Sequence, residues 1–296
     1  MPATRDKTSL SVKRVWIAAA VVAGVGVAFA AMIIFGWMID ETHFDRPDQD
    51  FDRLVAQIDE TPGAIVDAHE RWVEAPMFSD PTSWIQLTVD EENLPELLAT
   101  ACASGYPDSV DWSLLVQAQS GTVVSLYTDA APGGRASDTP CPDFGFDAAG
   151  LVGEISRSEP GVDVQASIWD NGRFALVVTD DDPGGLSAVL PLVARADAVR
   201  AAAGLDPRRP VEINAGGLSV VIQPGEHDRY LDLLCALADQ HGVTSFWADG
   251  GGIPIDGVRK VQVTAPAQEH VSIEAAISAS GLQIADLPVR FIPPTP

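Results

Sequence analysis

LVGEISRSEPGVDVQASIWDNGRFALVVT, residues 151–179, decides how this chain is read. Leu151, Val152 and Ile155 recur at helical spacing and stop at Gly161, a residue able to take the left-handed turn that ends a helix. Val162 to Trp169 then alternates apolar and polar, the period of a strand with one buried face. Asp170-Asn171-Gly172 is turn chemistry, and Arg173 to Thr179 is a second strand-forming run. The stretch therefore predicts a helix followed by a β-hairpin.

The phrase recurs upstream and downstream. Leu54-Val-Ala-Gln-Ile-Asp-Glu-Thr-Pro-Gly63 precedes strand-like runs over 64–72 and 83–89; Leu233-Leu-Cys-Ala-Leu-Ala-Asp-Gln-His-Gly242 precedes runs over 243–247 and 258–264. A Trp (Trp72, Trp169, Trp247) lies near the end of each first run. Further helices are expected over 94–103, 187–203 and 271–280, with Asn93 and Glu96 forming a capping box for the first. Closing strands follow over 112–127, 211–222 and 288–292.

The fold class is therefore α+β: an N-terminal transmembrane helix followed by about three divergent helix-strand-strand-helix-strand units. Each unit packs its helices on a small antiparallel or mixed sheet, since an amphipathic helix beside a hairpin buries its apolar stripe only against that sheet. The expected division is a basic tail (1–14), the transmembrane helix (15–39), an acidic linker (40–50) and a first unit (51–127). A Gly/Pro-rich loop (128–146) precedes the second (147–225) and third (226–292) units, and a disordered tail covers 293–296. The element order resembles that of the BON domain, a small module of bacterial envelope proteins, with no motif in common.

Residues 15–39, VWIAAAVVAGVGVAFAAMIIFGWMI, carry no charge, and at about 1.5 Å per residue they reach roughly 37 Å, enough to cross a bilayer. Arg5, Lys7, Lys13 and Arg14 precede the segment and Asp40, Glu41, Asp45, Asp48 and Asp50 follow it. The positive-inside rule then leaves the N-terminus cytoplasmic and exports the remainder. Ala28-Phe29-Ala30 has the form of a signal-peptidase site, but the apolar run continues through Phe35, which favours an uncleaved anchor.

The chain has 18 Lys and Arg against 42 Asp and Glu, a net charge of -24. Removing the four basic residues and Asp6 ahead of the apolar segment leaves 14 against 41, or -27. Such a field argues against nucleic acid as a partner. The partners expected are the membrane, through residues 15–39, and a protein partner or a second copy of the chain.

Candidate chemistry is sparse. Cys102 and Cys141 are the disulfide candidates, expected to tie the Pro-rich loop to a helix in an oxidising compartment. Cys235 sits among Leu231, Leu234 and Leu237 and reads as core. The five histidines are scattered without a zinc spacing, and neither a nucleophile elbow nor a phosphate-cradling loop occurs. Asp180, Asp181 and Asp182 are weak metal candidates that lack the alternation of a calcium loop. No catalytic residue, cofactor-binding residue or cofactor is expected. The function expected is thus a single-pass envelope protein acting as a non-catalytic interaction or scaffold module. An envelope hydrolase without a local motif, or a cation or small-ligand module, stands as the alternative.

Overall fold

A computed structural model describes residues 43–74, 80–128, 140–158, 161–169, 171–180, 185–248 and 258–293. The apolar segment 15–39, Asp181 and Asp182 lie outside them. No helix among the described residues is long and apolar enough to cross a membrane. The chain divides into two compact units, one of Met1–Arg46 with Trp72–Pro81 and one of Pro47–Arg71 with Thr82–Pro296. In the smaller, β1 (His43–Asp45) pairs antiparallel with the end of β2, Phe44 opposite Val73.

The larger unit is an α+β structure with a mixed sheet. Its strands are β2 (Ala64–Glu74, as far as Arg71), β3 (Thr82–Asp90), β4 (Asp111–Gln117), β5 (Val123–Tyr127), β6 (Val164–Ile168) and β7 (Phe174–Val178). They continue with β8 (Val211–Ala215), β9 (Leu218–Ile222), β10 (Ser245–Ala248), β11 (Val261–Thr264) and β12 (Val289–Ile292). The helices are α1 (Gln49–Asp59), α2 (Leu94–Ala103), α3 (Ala148–Ser158), α4 (Leu190–Ala194), α5 (Ala196–Ala202), α6 (His227–His241) and α7 (His270–Ala279).

Strands β2 to β12 hydrogen-bond in chain order, so the separate small sheets expected from the sequence give way to one continuous sheet. The joins between the expected units are parallel ladders, Val124 opposite Val164 and Leu218 opposite Phe246. They leave no unpaired strand edge at either join, which is the physical reason the sheet does not break there.

The repeating unit is also half the expected length. It is one helix and one hairpin, αββ, shortened in the last module to α7 and β12 among the described residues, and each helical segment is followed by a glycine with positive φ: Gly63, Gly105, Gly161, Gly204, Gly242 and Gly281. Their spacings are 42, 56, 43, 38 and 39 residues, the longest containing the Gly/Pro-rich loop. The hairpins are antiparallel and the helix crossovers parallel, so strand direction reverses with every module.

All helices among the described residues lie on one face. α1 packs on α2, α3 on α4 and α5, α4 on α6, and α6 on α7, while the 3-10 turn Glu91–Asn93 leading into α2 reaches α3. The row facing them, Leu87-Leu114-Leu126-Ala166-Leu176-Ile213-Val220-Ala248-Val261, is fully buried. At about 1.5–3 kcal/mol for each large side chain, this layer dominates the stabilisation. With the sheet advancing one way, strand direction reversing and helices on one side, successive crossovers alternate in hand. Every second one therefore runs against the usual right-handed preference.

Two local expectations are corrected. Asn93 does not cap α2: the chain enters it through the Glu91–Asn93 turn, Asn93 has helical φ and ψ, and its side chain makes no capping bond. The helix expected over 187–203 is a 3-10 turn, Leu186–Val189, followed by α4 and α5, which are parted at Arg195.

Candidate functional site: the helix-free face of the sheet

Because side chains alternate along a strand, the residues between the buried ones point away from the helices. Register places ten of them in one line across the sheet: Thr88, Leu115, Ser125, Gln165, Val177, Asn214, Ser219, Trp247, Gln262 and Arg290. Strands about 4.8 Å apart make this row roughly 43 Å long. From Thr88 to Gln262 it holds no charged side chain, in a chain of net charge -24. A second line, Gln86-Ser113-Tyr127, runs beside its start.

The polar groups of this face are partly tied to one another. Ser219 Oγ donates to Asn214 Oδ1 at 2.5 Å, Asn214 Nδ2 donates to Glu212 Oε1 at 2.9 Å, and Ser245 Oγ donates to Thr264 Oγ1 at 2.6 Å. Glu212 is fully buried and meets Arg173 Nη1 at 3.3 Å, so the one acidic group among the middle strands of the face is compensated. By contrast, the amides of Gln86, Gln165 and Gln262 make no hydrogen bond among the described residues.

The candidates named from sequence lie elsewhere. Cys102, at the end of α2, is disulfide-bonded to Cys141, their Cα atoms 4.1 Å apart. The same loop is held by Trp112, whose indole N–H donates to Pro140 O at 3.0 Å in a buried contact. Asp180 Oδ2 accepts the amide of Asp163 at 2.9 Å, and Asp163 Oδ1 accepts that of Val123 at 2.7 Å. Both carboxylates thus close strand ends beside a cleft of about 280 Å³ that Ser120, Thr122 and Gly161 also line. No group of three His, Cys, Asp or Glu placed to hold a metal occurs among the described residues. Cys235 is a half-buried free thiol whose pKa is pushed up, first by burial and then by Asp239 and Asp232.

Sequence reasoning missed two ion clusters. Glu154, only 3% exposed on α3, is clasped by Arg157 and by Arg195, the residue that parts α4 from α5. Arg200, also buried, donates to Arg209 O and Ile222 O and pairs with Asp197. Burial raises the Asp197 pKa, but bonds from Arg200 and the Gly225 amide outweigh it and hold the carboxyl below its usual range. The only available signal was weak: Glu154 and Arg157 sit three apart on a helix, and so do Asp197 and Arg200.

The fold and this face define the class, a modular αββ protein with a one-sided helix layer over a mixed sheet. The chain matches no known protein family, no curated protein and no solved structure.

Proposed function

We propose that the chain is a single-pass, membrane-anchored extracytoplasmic protein of a bacterial cell envelope whose helix-free sheet face is a non-catalytic interaction surface. One observation carries the surface reading: a row without charge from Thr88 to Gln262 in a chain with 42 acidic residues. Depletion of charge with retention of Trp and Tyr is the compositional signature of an interface core. The apolar segment 15–39 and the acidic flank after it support the placement.

Photo-crosslinking in the producing cell tests the surface. A benzophenone amino acid at Gln165 or Ser219 should capture a partner as a shifted band or smear, and one at the exposed Glu60 should not. Equal capture at all three positions, or none, overturns the reading. Placement has a separate test, because protease added to spheroplasts should digest the chain beyond residue 40. Full protection would reverse the topology.

A further inference from the structure

Resting on that interaction reading, we propose that the helix-free face binds a neutral, hydroxyl-rich polymer, that is, an uncharged polysaccharide laid along the row from Ser125 to Gln262. Six strand spacings make this track about 29 Å long, the span of roughly six sugar units at about 5 Å each.

Three features select this chemistry. The first is charge. A partner with a positive surface would be met by carboxylates, yet the track offers none, and an anionic polymer is repelled by the chain's net -24. An uncharged chain feels neither effect.

The second is unspent hydrogen bonding. Gln165 and Gln262 each present an amide with no partner among the described residues, and Ser219, whose proton goes to Asn214, adds an acceptor oxygen. A dry partner such as a second copy packed face to face would bury those amides at a cost of about 1–3 kcal/mol each. A polymer with a hydroxyl on nearly every carbon satisfies them.

The third is the aromatic platform. Trp247 lies directly between Ser219 and Gln262 in register, so an indole ring is flanked by a hydroxyl on one side and an amide on the other. The apolar face of a sugar ring stacks on such an indole while its equatorial hydroxyls reach the flanking groups.

The test is affinity electrophoresis of the full chain in a non-ionic, sugar-free detergent. The gels contain a soluble β-1,4-glucan derivative without charge, an α-1,4-glucan or a mannan, with polygalacturonate as the anionic control. At least one neutral polymer should retard the protein and polygalacturonate should not. Trp247→Ala and Gln262→Ala should each weaken retardation about fivefold to tenfold, and Trp247→Phe should keep most of it. If Trp247→Ala loses its cooperative melt, Gln262→Ala and Gln165→Lys decide.

No retardation by any neutral polymer overturns the proposal. Retardation unchanged by Gln262→Ala and Gln165→Lys also overturns it, since the saccharide would then sit elsewhere. Position-specific crosslinking to a protein or a second copy without retardation sinks the polysaccharide assignment and leaves the interaction surface standing. Failure of both experiments removes both.

Discussion

A single carboxylate sets the stakes at the scale of residues. Glu154 is almost wholly removed from water, and two arginines that are themselves half-exposed supply its counter-charge. Arg195→Ala leaves it with Arg157 alone, and the expected loss is about 2–3 kcal/mol in a urea melt. Replacing both partners, as Glu154→Leu with Arg195→Leu, should recover most of that; a double variant no better than the single one would show that the cost is packing and not charge. Asp197 yields a pH test. Its folded pKa is depressed, so its contribution is complete above the unfolded value of about 3.9 and is lost as pH falls through the lower folded value. Asp197→Asn should melt below the wild type at pH 6, with the gap narrowing as the solution is acidified below the usual carboxylate range. A gap that stays constant with pH would remove the ionised carboxylate from the account.

At the scale of elements, helix ends decide more than helix interiors. Gly63 follows α1 with φ 67°, and a Cβ there would lie 2.2 Å from Asn93 Nδ2 and 2.9 Å from Asp90 Oδ2. Gly105 follows α2 with a similar φ of 72° and open space around it. Gly105→Ala is expected to cost about 1–2 kcal/mol from the backbone alone. Gly63→Ala adds the displacement of the Asn93 and Asp90 side chains and should cost somewhat more, and a smaller shift in thermal denaturation than Gly105→Ala would contradict the steric reading. The pair also shows why the sequence was only half legible. Periodicity placed nearly every helix and strand, because apolar spacing is set by the face each element buries. The phrase ending at Gly63, Gly161 and Gly242 stood out, whereas Gly105, Gly204 and Gly281, which close the intervening modules, did not. The three recognised modules have strands in the same direction; the other three run in reverse. Likeness between segments does not report direction. The polar row was equally hidden, since only the register of ten strands brings its members into line.

At the scale of the whole molecule, the larger unit rests on one helix layer over one sheet, with a covalent tie at Cys102–Cys141 closing a separation of 39 residues. Chain-entropy arguments value such a loop at about 3–4 kcal/mol. Cys102→Ser, or reduction before melting, should lower the denaturation midpoint by a corresponding amount. An unchanged midpoint would mean that the Trp112–Pro140 contact alone holds the loop. The alternation of crossover hand has a consequence for how such a chain can lengthen. Neighbouring modules are topological mirror images, and a chain of L-amino acids cannot convert one into the other by any rotation, so a copied module fits only two places along, in a position of its own hand. Growth of this sheet therefore comes in doublets of four strands, which extend the polar row by about 19 Å at a step.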